Sequence, residues 1–287
     1  MAEQLQQQRY ANEQAVVSTQ WVADRVKDQK VRIVEVDYDP KSAYELGHIG
    51  GAALIQWGKD LNDGVRRDIV SPQGFAALLS RNGITRESTV ILYGDFNNWF
   101  AAFGYWVFKL YGHKDVRLMN GGRKKWAEEK RSYTTEAPKL VKSVYPEPKA
   151  DWTQRAYLPQ VQAALGKKDW GLVDVRSPAE YKGEITAPPE YQNEQCRVAG
   201  HIPGAKSIPW GKAVNEDGTF KSQAELEALY RAEGITRDKS IIAYCRIGER
   251  SSHTWFVLKE LLGYPKVVNY DGSWTEWGNA VNTPVER

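Results

Sequence analysis

Six consecutive residues, Cys245-Arg246-Ile247-Gly248-Glu249-Arg250, bring together a nucleophile, two cations and a conformationally free backbone position. They follow the β-branched apolar run 240–244, which reads as a strand, and precede 251–262, whose apolar spacing predicts a helix. A cysteine that leaves the carboxyl end of a strand and enters a turn feeding a helix N-terminus stands where backbone N–H groups converge on an anion. Gly248 permits the backbone angle such a turn asks for, and amides from Arg246 to Arg250 are the expected cradle. The helix dipole and the guanidinium groups of Arg246 and Arg250 favour thiolate. They predict a Cys245 pKa drawn down from about 8.5 towards the range of roughly 3.5–7.5 found beside cations and helix N-termini.

The chain carries its own control for this reading. Gly-His-Ile-Gly-Gly-Ala at 47–52 matches Gly-His-Ile-Pro-Gly-Ala at 200–205, and Ile-Gln-Trp-Gly-Lys at 55–59 matches Ile-Pro-Trp-Gly-Lys at 208–212. Asn120-Gly to Trp126 parallels Asp271-Gly to Trp277 in the same order. A period this long means a duplicated domain and not a solenoid. In the first copy Gly94 and Asp95 stand where the second has Cys245 and Arg246, so the duplicated architecture exists without the nucleophile.

Short apolar runs alternate with helix-length amphipathic segments in each copy. In the second, 170–175, 240–244 and 266–270 read as strands and 223–232 as a helix. This alternation predicts an α/β fold, with two tandem domains that are each a mainly parallel sheet flanked by helices. The expected organisation is an inactive domain over 1–133, a proline-bearing extended linker over 134–152, and a domain with the catalytic cysteine over 153–287. Loops leaving the carboxyl ends of the strands are where such sheets hold ligands.

Composition removes several classes of function. Lys plus Arg number 39 against 36 for Asp plus Glu, without a basic block, which supplies no phosphate-neutralising surface for nucleic acid. The longest nearly apolar run, Trp99 to Phe108, is far short of the roughly 20 residues a membrane span needs. The polar N-terminus and the presence of only two cysteines, Cys196 and Cys245, make the cytoplasm the expected compartment and exclude a disulfide framework. No Cys/His grouping has zinc-ligand spacing.

The order of Val173-Asp-Val-Arg-Ser-Pro-Ala-Glu-Tyr181, the two Gly-His-Ile-x-Gly-Ala segments, the Cys-Arg-Ile-Gly-Glu-Arg-Ser loop and Tyr270-Asp-Gly-Ser-Trp-Thr-Glu-Trp277 resembles the two-domain rhodaneses over nearly the whole chain. The resemblance implies two tandem rhodanese-like domains and a thiosulfate sulfurtransferase. In that family the cysteine takes the outer sulfur of thiosulfate, releases sulfite and passes the sulfur from its persulfide to cyanide or a thiol, without metal or organic cofactor. Carried onto this chain, Cys245 is the nucleophile, and Arg246, Gly248, Glu249 and Arg250 surround the substrate. Arg197, in an insertion between about Lys182 and Val198 that the first copy lacks, is a further candidate rim residue.

Arg246 favours the thiosulfate dianion as donor, whereas Glu249-Arg250 departs from the Val-Thr pair common to thiosulfate and 3-mercaptopyruvate enzymes and keeps the latter as the alternative. A persulfide carrier and a cysteine-dependent phosphatase are the remaining rivals. The phosphatase signature places five residues between Cys and Arg, and here there are four. Arg176 is expected to pair with Asp174 or Glu180, and His48 and His201, which recur in both copies, to serve turns. The recurring Trp57, Trp210, Trp126 and Trp277 are expected in the core, Cys196 is a bystander or a resolving thiol, and His253 has no assigned role.

Overall fold

The computed structural model describes residues 9–189 and 195–287, which form two compact units. The N-terminal unit holds a five-stranded sheet of β1 (Val16–Val17), β2 (Val31–Asp37), β3 (Ala53–Gln56), β4 (Thr89–Tyr93) and β5 (Val116–Met119) in the order β1-β5-β4-β2-β3. The C-terminal unit holds β6 (Trp170–Asp174), β7 (Lys206–Ser207), β8 (Ser240–Tyr244) and β9 (Val267–Tyr270) in the order β9-β8-β6-β7. Every pairing in both sheets is parallel, as the alternation of strands and helices requires.

Parallel strands are buried on both faces, so the helices that cover them must be apolar. Helix α1 (Pro72–Arg81) starts on a Ser71 cap whose hydroxyl accepts from the Gly74 N–H. In α2 (Trp99–Leu110) all but Trp99 and Lys109 are buried, which accounts for the most apolar stretch of the sequence as a core helix. No helix among the described residues is long and apolar enough to cross a membrane.

The duplication extends to individual hydrogen bonds. Tyr93 Oη accepts from the Ile49 N–H at 3.0 Å, and Tyr244 Oη accepts from the Ile202 N–H at 3.1 Å. His48 stacks on Tyr44 with ring centroids 3.8 Å apart, and His201 on Tyr181 at 3.6 Å, each with Nδ1 on the tyrosine carbonyl. These histidines therefore hold turns. Four residues separate the first pair and 20 the second, and the insertion supplies the difference. Trp57, Trp126 and Trp277 are buried as expected, while Trp210 is half-buried.

One substitution between the copies is electrostatic. Glu35 and Asp174 occupy the same place, each in register with the tyrosine that ends the neighbouring strand, Tyr93 or Tyr244. Two residues later the C-terminal unit has Arg176, fully buried, which pairs with Asp174 at 2.6 Å and donates to the Gly200 carbonyl at 2.7 Å. The N-terminal unit has Asp37 there, and its guanidinium comes instead from Arg123, which reaches Glu35 at 2.5 Å and the matching Gly47 carbonyl at 2.8 Å. Arg123 is the first-copy counterpart of Trp274, against whose ring Arg176 packs at 4.6 Å. The same cavity is thus filled by a guanidinium from two different elements.

The boundaries differ from the expected halves. Residues 134–152 have almost no regular structure, yet they belong to the N-terminal unit and are not a free tether. Ser143 N–H donates to the Ser80 carbonyl, Tyr145 is buried with its hydroxyl 3.0 Å from His113 Nδ1, and Asp151 N–H donates to the Leu110 carbonyl. Residues Asn215–Phe220 also pack in the N-terminal unit, where Asp217 pairs with Lys125 at 2.8 Å, while the segment ending at Glu13 joins the C-terminal unit. The sequence periods mark the duplication but are blind to such exchanged segments.

Asp37 shows what the missing arginine costs. Burial, then the charges of Glu35 and Asp95, push its carboxyl up to about 8, and burial raises Glu35 to about 7 against the pull of Arg123. A folded-state value above the unfolded one means stability that is complete below about pH 4 and is lost as pH rises through about 8. Asp37 by itself should therefore lower the stability of the N-terminal unit by up to about 1.4 kcal/mol per pH unit across that window, and Asp37→Asn should flatten the slope. Urea unfolding at pH 5, 6, 7 and 8 checks this, and equal slopes in the two proteins would refute it.

Candidate active site

Strand β8 ends at Tyr244, and α6 (Glu249–Phe256) begins four residues past Cys245 with Gly248 as its N-cap. Gly248 has φ +101°, and a Cβ there would lie 2.7 Å from the Asp271 Cβ, so both the backbone angle and the space require glycine. The loop is braced from α7 (Ser273–Trp277): the Cys245 N–H donates to Ser273 Oγ at 3.0 Å, and the Cys245 and Arg246 carbonyls accept from the Trp274 and Thr275 N–H groups. Asp271, on the turn before α7, is held by a two-pronged pair with Arg155 at 2.8 Å.

Cys245 is completely buried. Its Sγ accepts from the Gly248 N–H at 3.1 Å and lies 3.6 Å from Ser251 Oγ and 4.0 Å from Ser273 Oγ. The thiol donates to Glu249 Oε2 at 3.5 Å. The loop therefore aims an amide at the sulfur, as expected, together with a carboxylate that spacing alone did not place.

Burial, with that carboxylate second, reverses the expected direction of the thiol pKa. Burial, then the Glu249 charge, push the Cys245 thiol up, against the pull of Arg250 and of hydrogen bonds from Ser251. Two unit charges at the observed 3.5 Å repel by about 5 kcal/mol at an effective dielectric constant near 20, so thiolate and carboxylate do not coexist cheaply. The pull of Arg250, which the sequence advertises, is outweighed by desolvation.

Arg250 and Arg197 make contacts other than those expected of anion ligands. Arg250 is buried, and its two terminal nitrogens are taken by Glu180 of α4 (Pro178–Tyr181) at 2.9 and 3.0 Å, with Nε 3.7 Å from Glu249 Oε1. That pair holds the guanidinium in place and takes one N–H from each of its terminal nitrogens. Burial opposes the charge on Glu180, but Arg250 holds its carboxyl below the usual range. Arg246 is buried on the loop. Arg197 is exposed, its N–H bonded to Asn279, and no described contact brings it to the Cys245 loop. Arg176 pairs with Asp174, the structural role expected of it. Neighbouring Cys196 is buried, its Sγ 3.4 Å from the Trp274 carbonyl. His253 packs edge-on to Trp210 at 5.2 Å, and burial pushes its pKa down to about 3.

Sequence reasoning missed Ser251, Ser273 and Asn269, which link the loop to β9 and α7: Ser251 Oγ donates to Asn269 Oδ1 at 2.7 Å. A signal existed for Ser273, which replaces Gly122 of the first copy. The first copy has no cysteine in its loop, and its geometry shows why glycine stands there. A Cβ on Gly94 would lie 2.6 Å from the Val36 carbonyl, and the Asn98 side chain occupies the loop, accepting from the Gly94 N–H at 3.0 Å and donating to the Met119 carbonyl at 2.7 Å.

Two matches to the rhodanese-like domain, over residues 18–129 and 158–280, coincide with the two copies, and the chain belongs to the rhodanese family. It is 57% identical over 281 residues to the sulfur carrier protein TtuD of Thermus thermophilus, covering 97% of this chain and 98% of that protein. It is 53% identical over 276 residues to a Mycolicibacterium smegmatis protein named "Putative thiosulfate sulfurtransferase", covering 96% and 99%. Among solved structures, the anaerobic ergothioneine biosynthesis enzyme of Chlorobium limicola, in complex with its natural substrate trimethyl histidine, aligns with a TM-score of 0.84 at 27% identity over 97% of this chain and 71% of that one. YnjE aligns with a TM-score of 0.85 at 27% identity, covering 98% and 70%.

The pair between α4 and α6 should be structural. Arg250→Ala leaves the Glu180 charge buried and unpaired and should destabilise the C-terminal unit by about 3–5 kcal/mol. Chemical denaturation checks this, and a loss below about 1 kcal/mol would show that the pair is dispensable.

Proposed function

We propose that the chain is a sulfurtransferase that moves the sulfane sulfur of thiosulfate, through a persulfide on Cys245, to cyanide or another thiophilic acceptor. The observation that supports this best is the Gly248 N–H, 3.1 Å from the Cys245 sulfur at the start of α6, in a chain of the rhodanese family. The Cys245 thiolate attacks the outer sulfur of thiosulfate. A bond forms between the two sulfurs, the bond to the sulfonate breaks, and sulfite leaves with its electron pair. The acceptor then attacks the outer persulfide sulfur and releases the thiolate. Both steps keep an anion on sulfur in a dry loop, where a preorganised amide is worth most. The chemistry is two-step covalent transfer and asks nothing of a metal or organic cofactor.

Arg246 beside the nucleophile supports an anionic donor. Glu249 opposes a dianion more than a monoanion, which keeps 3-mercaptopyruvate as the alternative donor. A second reading, delivery of the sulfur to a partner protein with little turnover on small acceptors, is supported by the name of the Thermus relative. Phosphatase chemistry is disfavoured, because Arg250 is committed to Glu180 and a carboxylate faces the nucleophile.

Intact mass before and after thiosulfate, followed by cyanide, tests the proposal. Wild-type protein should gain one sulfur on Cys245 and lose it as thiocyanate, and Cys245→Ser should remain folded and gain nothing. Sulfur gain by the folded serine variant would remove Cys245 from the mechanism. Loading without catalytic thiocyanate formation would favour the carrier reading.

A further inference from the structure

We propose that Glu249 is the catalytic base of this site, taking the Cys245 proton when the thiol becomes a nucleophile and returning it when the persulfide is discharged. The proposal deepens the sulfurtransferase reading and rests on it for the identity of the reaction.

The argument starts from burial. The thiol is fully buried and Glu249 nearly so, at 3% exposure, and the thiol's hydrogen bond runs to Glu249 Oε2 at 3.5 Å. A thiol buried away from solvent gives its proton most directly to an acceptor within hydrogen-bond reach. The other groups facing the pair do not serve. Arg250 on α6 is a cation tied to Glu180 of α4, and Asp271 before α7 is tied to Arg155. Ser251 and Ser273 are neutral hydroxyls, far weaker bases than a carboxylate, that also donate to Asn269 Oδ1 and to the Tyr270 carbonyl. Arg246 on the loop is a guanidinium and not a base, and His253, one turn along α6, packs edge-on to Trp210 and is kept neutral by burial.

The charge count supports the same assignment. Moving the proton from sulfur to the carboxylate leaves the pair with one negative charge before and after, so no second anion is created beside the first. The neighbouring Arg250, 3.7 Å from Glu249 Oε1, compensates that single charge in either form. The silent copy supplies a comparison: Asn98 stands at the position of Glu249, and its amide cannot take a proton.

The steps balance. Cys245 thiol and Glu249 carboxylate become thiolate and carboxylic acid. The thiolate gains the outer sulfur of the donor, and sulfite departs with the electron pair of the broken bond. Glu249 keeps the proton while the persulfide anion stands. When the acceptor removes the outer sulfur, the released thiolate takes the proton back.

The test is the pH dependence of Cys245 alkylation by iodoacetamide, mapped by peptide mass, in wild type, Glu249→Gln, Glu249→Ala and Glu249→Asp, with folding checked by circular dichroism. Wild type should alkylate at a rate nearly level into mildly acidic pH, because the proton moves within the pair. Glu249→Gln and Glu249→Ala should slow by about tenfold for each pH unit below their own thiol titration, and Glu249→Asp should recover part of the wild-type profile. Profiles of the same shape in wild type and Glu249→Gln would overturn the proposal, as would faster alkylation of Glu249→Gln at every pH, which would make Glu249 a source of repulsion only. Sulfur uptake from thiosulfate is measured in parallel. Failure of wild type to load sulfur would strike the sulfurtransferase reading, whereas coincident alkylation profiles strike only the role of Glu249.

Discussion

A line of alternating charge, from Glu180 through Arg250 to Glu249 and the Cys245 sulfur, is what the C-terminal loop depends on. Each charge in it is buried, and each is tolerable only because the next is in place. The pair between α4 and α6 holds Arg250 3.7 Å from Glu249, and Glu249, after burial, pushes the thiol pKa up. Without the bidentate grip of Glu180, Arg250 would be free to neutralise the carboxylate or leave the loop. The capping box that starts α4, in which Ser177 and Glu180 satisfy each other, spends one oxygen of Glu180 on the helix while both remain on Arg250.

The duplication shows how one scaffold carries a cysteine in one copy and excludes it from the other by a few local changes. Both units hold the same strand-end tyrosine, the same histidine stacked on tyrosine and a guanidinium bonded to the same glycine carbonyl. They differ in the loop: close approach of the Val36 carbonyl requires glycine where the C-terminal copy has cysteine, and an asparagine stands at the position of Glu249. The N-terminal copy also accepts two facing carboxyls, Glu35 and Asp37, where the C-terminal copy has a matched Asp174–Arg176 pair.

Much of this was legible in the residues. The helix over Gln223–Ala232 and the strand over Ser240–Tyr244 fall where periodicity placed them, because apolar spacing responds directly to which face is buried. Helix α6 begins at Glu249, two residues before its apolar pattern, because its first turn is buried against the loop and carries polar side chains that pattern reading assigns to solvent. The docked course of residues 134–152 was equally hidden, since single contacts such as Ser143 on Ser80 leave no period.

The sequence by itself determined the duplication, the parallel α/β architecture, the family and the position of the one cysteine on a strand-to-helix loop. These follow from local order, from spacing and from comparison of one copy with the other. Only the tertiary structure decided which partner each charge has: Arg250 with Glu180 across 70 residues, Arg155 with Asp271 across 116, and Glu249 turned onto the sulfur. A residue type states that a group can carry charge. How strongly that charge acts, and in which direction it moves a neighbour's proton, depends on burial and on distances of a few ångströms, which exist only after the chain has folded.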